Sequence, residues 1–238
     1  MTMQVGMVGT DGILIASDTK WSNSPLLYNR GWAGGRHSYN SPKIKINHEK
    51  GIAISCARDM EFACLVADTI IAELDESHFV YPVPVMEAIG RRRLATAQAE
   101  RNHAQFLVAL MRPQTQLFLF QFATVNGEWG PLCQKMESWA IAGDNVNPAI
   151  YWPERYYEKR PIDELVSLAA YTVVAAGKLN NAAISGLEIV QIRASEIKRL
   201  SDDSIRQLEL SANHWDMDFG HTLLAYGEQF TYAPDVIG

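Results

Sequence analysis

Short apolar runs separated by turn residues dominate the start of the chain. The first eighteen residues hold two such runs, joined at residues 9–12 by Gly-Thr-Asp-Gly. An Asp-Gly pair between two β-rich runs is a strong signal for a hairpin. Residues 43–46 and 51–56 are apolar runs of the same kind. The pattern therefore predicts two β-hairpins before the first helix.

Apolar positions at helical spacing follow the second hairpin. Asp59 can cap a helix that reaches about residue 74, with its apolar residues on one face. A second helix is predicted over residues 84–103. The remaining predicted elements are strands at 105–111, 116–125, 128–134 and 138–142, helices at 148–158 and 162–177, and a strand at 187–193.

Strand runs and helix pairs are segregated along the chain rather than alternating. This order argues against a doubly wound α/β fold and favours the α+β class. Two antiparallel sheets, with a helix pair against each outer face, account for the number of elements. We therefore predict a single domain over residues 1–238, with a long inserted loop at 21–42 and a C-terminal extension at about 201–238.

The inserted loop has an unusual composition. Residues 21–42 contain no carboxylate, and they combine two arginines, two tryptophans and two tyrosines with Gly, Ser and Asn. Loops of this length in compact domains are commonly functional or disordered. Aromatic side chains among small polar residues suit contact with a peptide-like ligand. A contact between subunits explains the composition equally well.

Composition and charge narrow the functional classes. The 238 residues, 47% of them hydrophobic, can bury a core, and the net charge of −6 argues against nucleic acid and anionic membranes as partners. No apolar run has the length of a membrane span and no signal segment opens the chain, so a cytoplasmic location is expected. The three cysteines show no paired or metal-binding spacing, and no metal or other cofactor is predicted.

Acidic residues are concentrated at the C-terminal end. From Ser201 onward the chain has seven acidic residues and one basic residue, Arg206, a difference equal to the whole net charge. A solvated acidic tail is one interpretation. An acidic surface or cavity within an assembly is the other, and the sequence does not choose between them.

Thr2 is the first candidate for chemistry. If the initiator methionine is removed, Thr2 becomes the N-terminal residue, and a threonine beside its own free amine is a recognised activated nucleophile. The amine has an ordinary pKa of about 8, so it can accept the hydroxyl proton. A lysine held by a carboxylate would lower the pKa of that amine and stabilise the threonine oxyanion.

Two charged residues are placed to complete this group. Asp18 ends the second strand, next to the point where Thr2 begins the first, because the two strands are predicted to be antiparallel neighbours. Lys43 begins the third strand. Each also has a purely structural explanation, since Asp18 can simply end a strand and Lys43 can protect a sheet edge from pairing. Their joint placement predicts a catalytic group of Thr2, Asp18 and Lys43.

These segments resemble the proteasome β-subunit family. The similarity consists of a Val-Gly-containing strand after Thr2, a second strand that ends in Ala-Ser-Asp18, and Lys43 at the start of the third strand. Residues 51–59 are similar to the family's fourth strand and helix-start aspartate. Residues 140–144 fall at the family's active-site turn. The chain resembles a divergent bacterial homologue, related to the HslV-like and betaproteobacterial branch.

The resemblance covers about residues 2–193 and implies both a fold and an activity. The implied fold is the four-layer αββα sandwich of N-terminal-nucleophile hydrolases. The implied activity is hydrolysis of peptide bonds through an acyl-enzyme on Thr2, with Asp18 holding Lys43. Self-assembly into stacked double rings, unfolded polypeptide or peptide substrates, and a partner ATP-dependent unfoldase ring are implied as well.

Four further residues receive a role only from their position in the family's pattern. The backbone N–H of Cys56 would stabilise the oxyanion, and Ile54 would floor the pocket for the substrate side chain. Asp144 stands where the family has a serine and would place a carboxylate beside the nucleophile. Asn180, or its neighbour Asn181, stands where the family has a later aspartate.

These departures leave two alternatives to the predicted threonine endopeptidase. One is a catalytically inactive, ring-forming subunit, because two positions that orient the site differ from the family's pattern. The other is an N-terminal-nucleophile amidohydrolase that acts on small amides.

Overall fold

The computed structural model describes residues 2–22, 38–96, 104–125, 127–180 and 183–229. Within these ranges the chain forms twelve strands, five α-helices and two short 3-10 turns. The strands are β1 (Met3–Val8), β2 (Gly12–Ser17), β3 (Lys20–Ser22), β4 (Ser38–Asn40), β5 (Ile44–Asn47), β6 (Ile52–Arg58), β7 (Ala104–Leu110), β8 (Gln116–Val125), β9 (Glu128–Met136), β10 (Trp139–Gly143), β11 (Glu188–Arg193) and β12 (Ile197–Arg199). The helices are α1 (Met60–Glu73), α2 (Pro82–Thr96), α3 (Tyr151–Tyr156), α4 (Ile162–Leu179) and α5 (Asp202–Gln229), and the 3-10 turns are Glu76–His78 and Pro148–Ile150.

The strands form two five-stranded antiparallel sheets and a short ribbon. The first sheet has the order β10-β1-β2-β11-β12, and the second has the order β5-β6-β7-β8-β9. The ribbon pairs β3 with β4. The fold therefore combines helices with antiparallel sheets, as the pattern of predicted elements indicates.

Side chains of successive strand residues point to opposite faces of a sheet, and this alternation divides the core into three clusters. In β6, Ile54 and Cys56 belong to a cluster with the apolar faces of α1 and α2, whereas Ala53 and Ala57 face a cluster shared with the first sheet. In β1, Met3 and the next alternate residues pack against α4. The two sheets therefore share one apolar interface, and each has helices on its other face.

Several predicted boundaries are close to the observed ones, and the first helix begins as expected. Its N-cap is Asp59, whose side chain accepts a hydrogen bond from Phe62 N–H at 3.0 Å. The predicted end of the second helix, at residue 103, and most of the loop at 21–42 lie outside the described residues. The described ends of that loop pair as β3 and β4, which the sequence did not predict.

The C-terminal extension begins as a helix rather than as a tail. Helix α5 packs on α4, with Ala212 fully buried. Asp216 accepts hydrogen bonds from Lys178 Nζ at 2.9 Å and from the Tyr171 hydroxyl at 3.0 Å. The described part of the extension is therefore a docked helix rather than an irregular tail, while Asp203, Asp216 and Asp218 stay solvent-exposed, as the interpretation of a solvated acidic segment expects. No helix in the described part of the chain is both long and apolar enough to cross a membrane.

Candidate active site

Thr2 lies immediately before β1, an interior strand of the first sheet. Its carbonyl accepts a hydrogen bond from Asp144 N–H at 2.8 Å. On one side β1 pairs with β10, with Met3 opposite Gly143, and on the other it pairs with β2. Because Thr2 shares its strand face with Gln4, its side chain points into the space between the two sheets. Only 5% of the Thr2 surface is exposed.

Asp18 closes the neighbouring strand end, as the antiparallel hairpin predicts. Its carboxylate Oδ1 accepts Met3 N–H at 2.8 Å, and its own N–H donates to Met3 O at 3.0 Å. The backbone and the carboxylate of Asp18 are therefore both fixed to the residue that follows Thr2. The Asp18 side chain has no exposed surface.

Lys43 joins the two residues from the second sheet. Its ammonium Nζ lies 2.8 Å from Thr2 Oγ1 and 2.8 Å from Asp18 Oδ2. The Lys43 side chain is fully buried, and Nζ lies 5.0 Å from the centre of the Trp21 ring. The sequence singled out Thr2, Asp18 and Lys43, and the structure places them in direct contact.

Burial acts on both charges of this pair. It lowers the pKa of Lys43, and the negative charge of Asp18 partly offsets the effect. It raises the pKa of Asp18, and the Lys43 ammonium partly offsets that effect. Lys43 can therefore polarise Thr2 Oγ1 as an ammonium and can release its proton more readily than an exposed lysine.

Two further residues near Lys43 were missed by the sequence analysis. The buried carboxylate of Glu188 accepts hydrogen bonds from Lys43 N–H and, at 3.1 Å, from Ile44 N–H. Its other oxygen pairs with Arg199 Nη1, and Arg199 Nη2 donates to Ile44 O at 2.6 Å. Nothing local in the sequence marks either residue, since Glu188 lies 145 positions from Lys43.

The turn after β10 holds Thr2 from the other side. Gly143 has φ of +102°, and a Cβ at this position would come within 2.1 Å of the Thr2 carbonyl oxygen. The turn therefore requires glycine for two reasons, left-handed backbone and close approach. Arg58 Nη2 donates to Gly143 O at 2.8 Å, and Gly143 N–H donates to the Gln105 side chain at 2.7 Å.

The four residues with roles taken from the family's pattern lie as follows. Asp144 contacts Thr2 through its backbone N–H, while its carboxylate accepts Asn147 Nδ2 at 3.3 Å. The N–H of Cys56 donates to Lys43 O at 3.0 Å. Ile54 has no exposed surface and packs in the cluster with α1 and α2. Asn180 forms the C-cap of α4.

A polar bridge behind Thr2 links the two sheets. Gln4 Nε2 donates to Cys56 O at 2.8 Å, and the Ser55 hydroxyl donates to Gln4 Oε1 at 2.7 Å. All three residues are buried. The bridge fixes the spacing between β1 and β6 beside the Thr2–Lys43 contact. Among the described residues, no group of three or more His, Cys, Asp and Glu could hold a metal ion.

Comparison with known proteins identifies the fold. No family model matches the chain, and no curated protein matches it in sequence. Solved structures do match: an Anbu described as an ancestral beta-subunit from Yersinia bercovieri has a TM-score of 0.70 at 12% identity, covering 95% of this chain and 97% of that one.

Two structures from Hyphomicrobium sp. strain MC1 agree with this match. A mutant Anbu has a TM-score of 0.69 at 15% identity, covering 95% of this chain and 100% of that one. A second Anbu has a TM-score of 0.65 at 15% identity, covering 93% and 96%. The chain has a proteasome-like fold. The TM-scores establish this fold at low sequence identity.

The arrangement has the parts for one kind of chemistry. The Thr2 hydroxyl is close to a buried ammonium, and the ammonium is held by a carboxylate. Such a group favours negative charge on Thr2 Oγ1, which is the charge that a hydroxyl develops as a base removes its proton before it attacks a carbonyl. The site therefore suits acyl transfer.

Proposed function

We propose that this protein is a threonine endopeptidase of the N-terminal-nucleophile class, active once Met1 has been removed. The observation that carries the proposal is the position of Lys43 Nζ, 2.8 Å from both Thr2 Oγ1 and Asp18 Oδ2. The three core clusters, with two sheets between helices, support the four-layer αββα architecture of that class.

The proposed reaction proceeds in two steps. The α-amine of Thr2 accepts the hydroxyl proton while Oγ1 bonds to the peptide carbonyl carbon. The C–N bond then breaks, and the amine passes its proton to the leaving nitrogen, which leaves an ester on Thr2. Water adds to the ester carbonyl with the amine again accepting a proton. The C–O bond to Thr2 then breaks as the ammonium returns that proton to Oγ1, which releases the carboxylic acid and restores the hydroxyl and the free amine.

Lys43 and Asp18 support both steps without being consumed. The Lys43 ammonium stabilises the charge that develops on Thr2 Oγ1, and Asp18 keeps that ammonium in place. The Cys56 N–H, which the family's pattern assigns to the oxyanion site, donates to Lys43 O, and Ile54 packs against α1 and α2, so the proposal gives neither of them a contact with substrate. Asp144 and Asn180 orient the nucleophile from the family's serine and aspartate positions.

The assembly and substrates belong to the same proposal. One of the similar structures is described as a beta-subunit, which supports self-assembly of this chain into stacked rings. A ring would enclose the sites, so unfolded polypeptides are the proposed substrates and an ATP-dependent unfoldase ring is the proposed partner. A cytoplasmic location and the HslV-like and betaproteobacterial branch complete it.

Peptide hydrolysis by matched variants tests the proposal. With a panel of fluorogenic peptides, Thr2→Ala should abolish turnover and Lys43→Ala should reduce it by about 10²-fold or more. Lys45→Ala is the control, because Lys45 lies two residues after Lys43, in β5, but its Nζ contacts the exposed residue Asp68 at 2.5 Å. Turnover by this control should stay within about twofold of wild type.

Other results would favour the alternatives. Turnover that survives Thr2→Ala would overturn the assignment of the nucleophile. A ring-sized particle that hydrolyses no peptide would support the inactive subunit. A monomer or dimer that hydrolyses small amides but not peptides would support the amidohydrolase.

A further inference from the structure

Glu188 is a buried charge beside the site that the proposed reaction does not use. It begins β11 opposite Ser17 of β2, so it lies next to the strand end that carries Asp18. Only 5% of its surface is exposed. Burial raises the pKa of Glu188, while the N–H groups of Lys43 and Ile44 and the charge of Arg199 oppose this. A buried ion pair is weak evidence for stability alone, so its contacts decide its role.

The contacts of Glu188 converge on the backbone of Lys43. One carboxylate oxygen accepts both Lys43 N–H and Ile44 N–H. The other pairs with Arg199, which also donates to the Ile44 carbonyl at 2.6 Å. Three backbone groups at the start of β5 are therefore held by one carboxylate and one guanidinium.

The Glu188–Arg199 pair connects the two sheets. Lys43 precedes β5, in the second sheet, whereas Thr2 and Asp18 belong to the first. Glu188 on β11 and Arg199 on β12 are also in the first sheet. The Glu188–Arg199 pair thus attaches the backbone of Lys43 to the sheet that carries the nucleophile.

We propose that Glu188 is a positioning residue for Lys43, with Arg199 fixing the orientation of the Glu188 carboxylate. By holding the backbone at Lys43 and Ile44, Glu188 sets the point from which the lysine side chain reaches Thr2 and Asp18. The catalytic consequence rests on the proposed peptidase function, whereas the positioning itself can be measured without it.

Kinetics of inactivation by a peptide epoxyketone test the catalytic consequence. Glu188→Gln keeps the shape of the side chain but removes its charge and one acceptor oxygen. The maximal inactivation rate should fall about 10- to 100-fold, because a displaced catalytic group costs that much in rate. The inhibitor's binding constant should stay within about twofold of wild type, since Glu188 does not reach the peptide in the proposed site. Lys198→Ala, an exposed neighbour of Arg199, should leave both constants unchanged.

The pH profile separates positioning from general damage. Asp18 from the end of β2 and Glu188 from β11 face Lys43 with negative charge, and Arg199 from β12 adds a positive charge behind Glu188. The negative charge of Glu188 favours the ammonium form of Lys43. Glu188→Gln should therefore shift the alkaline limb of the inactivation rate to lower pH. A loss of folded protein would lower the amplitude without moving that limb.

Hydrogen exchange gives a readout that does not depend on activity. In Glu188→Gln, the amides of Lys43 and Ile44 should exchange at least about tenfold faster, because they lose a charged acceptor. If Glu188→Gln does not fold, Arg199→Lys replaces it, because a lysine cannot hold Glu188 and Ile44 O together. Its effects should have the same direction and a smaller size.

The possible failures are distinguishable. A wild-type protein that the epoxyketone never inactivates contradicts the proposed function, and amide exchange then decides the positioning role. A wild-type protein that is inactivated, with a Glu188→Gln variant of equal rate, pH profile and amide exchange, overturns the positioning role alone.

Discussion

The Asp18–Lys43 pair should make a large contribution to stability that appears when one partner is removed. Both side chains have no exposed surface, and the two charges are 2.8 Å apart. Asp18→Ala would leave the Lys43 ammonium buried without its counter-ion, and removing one partner of a buried ion pair costs about 3–5 kcal/mol. The loss of the acceptor for Met3 N–H adds about 1 kcal/mol.

Two groups that stay in place offset part of this cost. Thr2 Oγ1 still accepts from Lys43 Nζ, and the Trp21 ring still lies 5.0 Å from it, which together offset about 1 kcal/mol. The net prediction is a loss of about 3–5 kcal/mol in the free energy of unfolding. Equilibrium unfolding in urea measures it, at one fixed protein concentration because assembly would add its own stabilisation.

A double variant provides the control. The double variant Asp18→Asn/Lys43→Met removes both charges and keeps an oxygen for Met3 N–H. It should therefore lose less stability than the sum of the losses in Asp18→Asn alone and Lys43→Met alone. The reasoning is refuted if Asp18→Ala costs less than about 1 kcal/mol, the value of a solvent-exposed pair. Additive losses in the double variant would refute it as well.

Two further predictions concern the turn beside the nucleophile and the cysteines. Gly143→Ala should lower the unfolding free energy by more than about 2 kcal/mol, because the φ of Gly143 is +102° and a Cβ would meet Thr2 O at 2.1 Å. Gly130→Ala is the control: no atom lies within 4 Å of the added carbon, so its unfolding free energy in the same urea assay should stay within about 0.5 kcal/mol of wild type. Equal losses in the two variants would contradict the geometry. A hydrogen bond from a neighbouring thiol lowers the pKa of Cys64 to about 7, whereas burial raises the pKa of Cys133 to about 12. The rate of alkylation of Cys64 by iodoacetamide should therefore rise with pH to a midpoint near 7. At neutral pH it should exceed that of Cys133 by at least about 10²-fold in peptide mapping, because about half of Cys64 and only about one part in 10⁵ of Cys133 is thiolate; equal rates would contradict the assigned environments.

The parts of the site that could be predicted are those set by local hairpin geometry. A tight turn between β1 and β2 forces the start of one strand beside the end of the next, so Thr2 and Asp18 had to be neighbours. Lys43 was singled out because it begins the next predicted strand and because the resembling family has a lysine there, but its strand lies in the other sheet. Local pattern alone does not say which end of that strand faces Thr2.

The parts that could not be predicted depend on pairing between distant segments. Glu188 reaches Lys43 only because β11 pairs with β2 in one particular register. Trp21 reaches Lys43 from the start of the long loop, whose composition suggested ligand or subunit contact instead. No local signal in the sequence specifies either register or contact.

Helix α5 illustrates a different reason for a missed element. In its described part, Ile205, Leu208 and Ala212 join the cluster around α4, whereas the apolar residues Leu210 and Met217 stay exposed. A helix with such a narrow apolar stripe gains much of its stability from docking. The acidic residues that dominate its composition therefore suggested a tail.

The most direct test of the central claim is the mass of the intact protein before and after treatment with a peptide epoxyketone. That reagent forms its adduct with a hydroxyl and a free amine on the same residue, so it reports the state of Thr2 itself. We expect a chain without Met1 that gains one inhibitor, located at Thr2 by peptide mapping. A chain that has lost Met1 and gains no inhibitor would contradict this expectation.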